Sequence, residues 1–251
     1  QLVLGLIDEY AQSCMGGAEN RSARFRFQLR RLADSACIVI RHIGEELAQS
    51  RFAPSYFELE LQNGTQFPPL RIPTEQGTVT IGGKIDRVDL AQLHGETYVR
   101  IVDYKTGVKE FKLTDVLYGM NLQMLIYLAA LIESGALQGA GFLYMPADRP
   151  LVSADRRTSE KKIHQEAEKK LKMNGMVLDD PEVITAMEKD GKGKYIPVAL
   201  KDGAPAKKDY VLSEKQLEQV TEYVKSLVRQ MKKTLLRGDI AALPLLVNRR
   251  G

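Results

Sequence analysis

Long apolar runs are missing from these 251 residues. A membrane span needs about 18 consecutive apolar residues, and the opening run LVLGLI is stopped by Asp8 and Glu9. No basic region or small-residue cleavage site accompanies it, so no signal peptide is read and a cytoplasmic, membrane-free setting is the expectation. Cysteine is equally scarce. Cys14 and Cys37 stand alone, without C-x-x-C spacing or paired histidines, which excludes a zinc or iron–sulfur site built by this chain on its own and leaves buried free thiols as the expectation. No Walker A pattern occurs, so ATP hydrolysis is not expected of these residues. No internal repeat is found. The chain opens mid-pattern at Gln1 and stops at NRRG, which reads as a piece of a longer protein.

What is present is a core. At 44% hydrophobic residues, rich in Leu, Ile and Val, the chain suffices for one substantial domain, 1–251, and is far from disordered composition. The formal charge of +4 and pI near 8.9 permit a polyanionic partner without establishing one.

Arg21–Gln49 carries Phe25, Leu29, Leu32, Ala36, Val39, Ile40, Ile43 and Leu47 near a 3.6-residue period, which predicts a long amphipathic helix with an arginine-rich outer face. Ser55–Gln62 alternates as a strand. TVTIGGKIDRVDL and TYVRIVDYKTG read as two more strands, joined through AQLHGE as a hairpin. A helix is expected over Thr114–Ser134, with Thr114 as N-cap and Gly135 at its end, and a buried strand over GAGFLYMP. Residues 147–210 are lysine-rich and broken by Gly and Pro, and read as a surface insertion. A last helix is expected over Ser213–Arg237, capped by Ser213 and followed by Gly238. Helix, strands, helix, strand, helix is an α/β order with a mixed sheet.

In a strand Asp103 and Lys105 share a face with Ile101, while Tyr104 points with Val102 to the other. An ion pair at a strand end, with Asp86, Arg87 and Asp89 as solvated hairpin charges, would account for these residues. The order of the set suggests more: Gly83-x-x-Asp86, then Asp103-x-Lys105, then Gln123 and Tyr127 one helical turn apart. Two converging carboxylates suit Mg²⁺ or Mn²⁺, with the Tyr104 carbonyl as a further oxygen ligand. Such an ion lowers the pKa of bound water and neutralises a phosphodiester, while Lys105 orients the water or stabilises developing charge.

The succession GGKIDRVD, RIVDYKTG and QMLIY resembles the PD-(D/E)xK nucleases of the RecB type. With RFAPSYFELEL, FKLTDVLYGMNLQMLIYL and LKMNGMVLDD in order, the chain from Arg21 to Pro244 resembles the C-terminal nuclease domain of the AddB family, components of bacterial helicase–nucleases that process double-strand breaks. The resemblance implies a restriction-endonuclease-like mixed central sheet flanked by helices, with Asp86 and Asp103 as metal ligands, Lys105 as catalytic lysine and Tyr104 lending its carbonyl. It makes Gln123 and Tyr127 the Q-x-x-x-Y pair, for DNA contact or for satisfying buried groups beneath the sheet. Mg²⁺, replaceable by Mn²⁺, is the implied cofactor, single-stranded DNA the implied substrate, and an AddA-like subunit the implied heterodimer partner.

Two departures accompany it. The family's upstream histidine ligand has no match, since His42 reads as a helix-surface residue, His94 as a hairpin tip and His164 as part of the insertion. The family's 4Fe-4S cluster needs one upstream cysteine and three near the C-terminus, which are absent here, so the cluster is expected only in the full-length protein. Glu58 ranks below the aspartates as an extra ligand. Lys161, Lys162, Lys169, Lys170 and Lys172 could face a phosphate backbone or merely be solvated. A nuclease-fold module that binds DNA or scaffolds a complex without cutting is the alternative function. A stand-alone restriction-type endonuclease is a further one, disfavoured by the length of the resemblance.

Overall fold

A computed structural model describes residues 2–19, 21–107, 110–153, 155 and 157–241, without the side chain of His164. Two helices come first, α1 (Leu2–Met15) and α2 (Ala23–Gln49). The second starts where Ser22 Oγ accepts the Phe25 N–H at 3.2 Å, satisfying one of the orphan donors of a first turn. Its expected apolar stripe is only partly used: Val39 is buried, whereas Leu32 and Ile40 are exposed. What α2 sends into the protein instead is polar, His42 and Glu46.

Next come β1 (Ala53–Leu61), the small hairpin β2 (Leu70–Thr74) and β3 (Gly77–Ile81), then the long hairpin β4 (Gly83–Leu93) and β5 (Glu96–Lys105). The run read as one strand from Thr78 is thus two, β3 and β4, lying in different sheets. The β4–β5 hairpin closes at His94–Gly95, both with positive φ, the conformation that matches the strands' twist.

The helix expected over Thr114–Ser134 is broken. A single turn, α3 (Leu113–Val116), ends before Gly119 and Asn121, whose φ values of 74° and 57° are left-handed, and α4 (Gln123–Glu133) begins afresh. Thr114 lies inside α3 rather than capping it, and Leu117 is exposed. Beyond α4 run β6 (Gln138–Pro146), α5 (Glu160–Leu171), β7 (Asn174–Leu178), α6 (Pro181–Met187), the short pairs β8 (Leu200–Lys201) and β9 (Ala204–Pro205), β10 (Val211–Leu212) and α7 (Glu214–Leu236). A capping box of Ser213 and Gln216 opens α7.

The central sheet is mixed, in the order β1-β4-β5-β6-β7-β10. Neighbours are antiparallel except β5 with β6 and β7 with β10. Helices flank it. One face packs Val99, Ile101, Phe142 and Tyr144 against α4 and α7. The other packs Val102, Leu143 and Val177 against α6 and the stretch around Tyr195–Val198. Residues 147–210 are therefore not confined to the surface: β7 lies inside the sheet, and Met173, Val183, Ile184 and Ile196 fill its second core. Among the described residues no helix is long and apolar enough to cross a membrane.

Candidate active site

The β4–β5 ladder stops at Arg87 with Val102. One step further out, Asp86 and Asp103 face each other across the point where the strands part. From there β4 is paired only with β1, through Gly83, and β5 only with β6, with Asp103 beside Tyr144 and Lys105 beside Pro146. The break is held open by a side chain: Asp86 Oδ2 accepts the Tyr104 N–H at 2.9 Å, in place of a strand carbonyl.

The faces alternate as the sequence requires. Ile101 lies in the α4–α7 core and Val102 and Tyr104 against the other, so Asp103 and Lys105 emerge together. Their ion pair is 2.5 Å. Asp103 is buried and Lys105 about one-third exposed, its Nζ 5.9 Å from the centre of the Tyr144 ring. Tyr144 was not singled out from sequence, because GAGFLYMP reads only as a buried strand. Burial, and then the neighbouring Asp103 charge, push its phenol far above the ordinary tyrosine range, so it stays protonated.

Beside Lys105 opens a cleft of about 580 Å³, lined among others by Tyr144, Arg149, Lys170, Lys172 and Asn174. Of the α5-region lysines, Lys170 and Lys172 thus reach the cleft, Lys169 pairs with Glu166, and Lys161 and Lys162 are exposed.

Gln123 and Tyr127 sit one turn apart at the start of α4, with Gln123 Nε2 3.4 Å from the Tyr127 hydroxyl. They share no stripe with Gly119, which lies outside the helix. Tyr127 covers Gly83 so closely that a Cβ there would fall inside its phenol ring. That contact ties the first residue of the motif strand to the Gln–Tyr helix.

Arg87 and Asp89 are not solvated hairpin charges. Both are fully buried, together with Arg100 and Glu46 from α2. Asp89 bridges the guanidiniums of Arg87 at 2.9 Å and Arg100 at 2.8 Å, and Glu46 reaches Arg100 at 2.6 Å and Arg87 at 3.6 Å. Two cations and two anions balance. Arg87 Nη1 also donates to the Tyr104 hydroxyl at 3.0 Å, so the residues following Asp86 and Asp103 are bonded to each other on the far side of the sheet. Burial raises the Tyr104 phenol pKa, and Arg87 offsets only part of that. Sequence gives no sign of this quartet beyond the unexplained charge in DRVDL, since Glu46 and Arg100 are distant along the chain.

The remaining candidates do not converge on the aspartates. Glu58, in an exposed left-handed kink of β1, pairs with Lys84. His42 is buried, contrary to the surface position expected, and stacks against Tyr195 at 5.1 Å. His94 is the hairpin tip and pairs with Glu182. Neither cysteine is buried: Cys14 is exposed and Cys37 half-buried. Among the described residues no three His, Cys, Asp or Glu side chains are placed to hold a metal. Two carboxylates and a backbone carbonyl nonetheless fit Mg²⁺, which is commonly held by one or two carboxylates and keeps several waters for substrate to displace. An iron–sulfur cluster does not fit, as only two cysteines exist and residues 242–251 lie outside the described residues.

Comparison with known proteins agrees with the geometry. Residues 5–244 match the PD-(D/E)XK nuclease superfamily. The chain is 35% identical over 248 residues to an ATP-dependent helicase/deoxyribonuclease subunit of Caldanaerobacter subterraneus subsp. tengcongensis, covering 95% of this chain and 21% of that protein. Proteins of the same name from Clostridium acetobutylicum and Clostridium novyi are 33% and 34% identical, over 95% and 96% of this chain and 22% of each relative. The chain thus spans about a fifth of the length of these relatives. With Asp86, Asp103 and Lys105 gathered where two core strands part, and the match running through nearly every described element, the chain belongs to the PD-(D/E)XK nuclease superfamily.

Proposed function

We propose that this domain, residues 1–251, is a Mg²⁺-dependent deoxyribonuclease that hydrolyses phosphodiester bonds of single-stranded DNA. The observation that carries the reading is the pair of carboxylates facing each other at the break in the β4–β5 ladder, with Lys105 on one of them. Asp86, Asp103 and the Tyr104 carbonyl would hold the ion, and Mn²⁺ would serve in its place. When bound, the ion supplies positive charge to the scissile phosphate and acidity to a water. Lys105 leaves Asp103 for the reacting phosphate, where its ammonium stabilises the charge that builds in the transition state. The Asp86 bond to the Tyr104 N–H and the Arg87 bond to the Tyr104 hydroxyl fix the spacing of the two strands. Tyr144, held protonated, offers only an O–H donor to the same space.

The relatives' names join a helicase to a deoxyribonuclease in one protein. We infer that this domain is likewise fed strands by a motor, with an AddA-like subunit as partner, in cytoplasmic processing of double-strand breaks, and that Gln123 and Tyr127 support the site or touch the strand. End-labelled single strands incubated with Mg²⁺ test the reading. Cleavage by the wild-type chain, abolished by chelation and by Asp103→Asn, is expected; equal cleavage by Asp103→Asn would overturn it and leave a DNA-binding or scaffolding module.

A further inference from the structure

The largest groove of the molecule lies outside the aspartate site, between α2 and α5 beneath residues 149–152, and encloses about 1110 Å³. One face of α2 forms its wall, with Phe27, Arg30, Arg31, Ile38 and Arg41 in helical register. Arg149, Pro150 and Leu151 line both this groove and the cleft beside Lys105, so the two are continuous.

Its charge is not self-compensated. Glu45 and Glu168, also on its lining, are both within reach of Lys194, at 3.8 and 3.4 Å. Asp34 is the one other carboxylate there. Among the described residues Arg30, Arg31, Arg41 and Arg149 enter no ion pair or side-chain hydrogen bond, and all four are exposed. Guanidiniums that stabilise a fold are normally paired with carboxylates, as Arg87 and Arg100 are here. Four free ones beside an exposed Phe27 and an apolar floor make the combination that single strands use, with charge for the phosphates and flat or apolar surface for the bases.

We propose that the α2–α5 groove is the track along which a single-stranded nucleic acid runs to or from the Lys105 cleft, its phosphates held by Arg30, Arg31, Arg41 and Arg149 and a base stacked on Phe27. Arg30 and Arg41 are eleven residues apart, about 16 Å along the helix, so the contacts serve strands longer than the cleft alone can hold. This inference rests on the nuclease reading above and adds the path of the substrate.

The test is binding, with a chelator present to prevent cleavage, of homopolymeric strands of about 4 and about 16 nucleotides, the range of single-strand site sizes. The triple variant Arg30→Ala/Arg31→Ala/Arg41→Ala should melt as wild type does, since exposed Arg→Ala suits a helix. It should bind the long strand at least about 10-fold more weakly. The slope of log K against log salt should fall by about 2, as each single-strand phosphate contact carries about 0.7. Binding of the short strand should be unchanged. Phe27→Ala should weaken the long strand about 5-fold or more, and Arg24→Ala/Arg26→Ala, on the same helix but off the groove, should leave both strands unaffected. An unchanged salt slope in the triple variant, or an equal loss in the off-groove variant, would overturn the track. If the triple variant matches wild type while wild type cleaves in Mg²⁺, the track alone falls; if wild type cleaves no strand, the nuclease reading falls and the track with it.

Discussion

Removing the Glu46 carboxylate should be the most damaging single change outside the aspartate site. Glu46, Arg87, Asp89 and Arg100 are fully buried, and their charges cancel only as a set of four. In Glu46→Ala, Arg100 loses its 2.6 Å partner and Arg87 its 3.6 Å one, leaving Asp89 to balance two guanidiniums away from water. Stranding a buried charge costs about 3–5 kcal/mol. In a domain of this size each kcal/mol shifts the melting temperature by about 2–4 °C, so a fall of about 6–20 °C is expected by calorimetry or circular dichroism. The double variant Glu46→Leu/Arg100→Met separates charge imbalance from lost packing. It returns the set to neutrality with Arg87 and Asp89 still paired, and replacing buried pairs by apolar residues is often neutral, so most of the loss should be recovered. A Glu46→Ala loss below about 1 kcal/mol, or a double variant worse than the single one, would refute the reasoning.

Other consequences follow from the same geometry. Asp86→Ala and Asp103→Ala should both weaken Mn²⁺ binding in calorimetric titration. Asp86→Ala should also cost about 1 kcal/mol in stability, because it alone releases the Tyr104 N–H; unchanged metal affinity in both variants would contradict the ligand assignment. Gly83→Ala should displace Tyr127 from above β4 and slow strand cleavage, with a stability loss of about 1–3 kcal/mol; full activity would show that the contact is dispensable. His42 is held neutral chiefly by burial, its pKa lowered from the ordinary 6.5. The unfolded chain then binds the extra proton first, so His42's contribution is full above pH 6.5 and is lost as pH falls through the lower folded value. His42→Phe should flatten the stability profile on the acid side of 6.5, and an unchanged slope would refute this.

Much of this architecture is legible in the residues. Alternation in YVRIVDYK places Asp103 and Lys105 on one face because a strand apolar on both sides can turn polar only where the sheet ends, and the structure puts that end at the parting of β4 and β5. The N-terminal seryl caps of α2 and α7 read directly. Where the reading failed, a tertiary partner decided. The stripe of α2 looked like a core face, yet the helix meets the protein through Glu46 and His42 and leaves Leu32 and Ile40 outside. Residues 147–210 looked like decoration because lysines dominate their helix, while the strand Asn174–Leu178 takes its place through pairing with β6, which composition does not report. The break before α4 was marked by Gly119 and Asn121, but the helical period running across them concealed it. Arg87 and Asp89 drew attention only as charge, since their partners are on α2 and the opposite strand.

The single-turnover cleavage rate of an end-labelled single strand in saturating Mg²⁺, compared between wild type and Lys105→Ala, bears most directly on the central claim. Were Lys105 only the surface half of an ion pair with Asp103, its loss would cost about 0.2–1 kcal/mol of stability and leave cleavage intact. If instead it stabilises the transition state, metal binding persists while the rate falls by roughly 100-fold or more. A drop of that size with retained metal affinity is the predicted result, and a rate within about a factor of two of wild type would contradict the account.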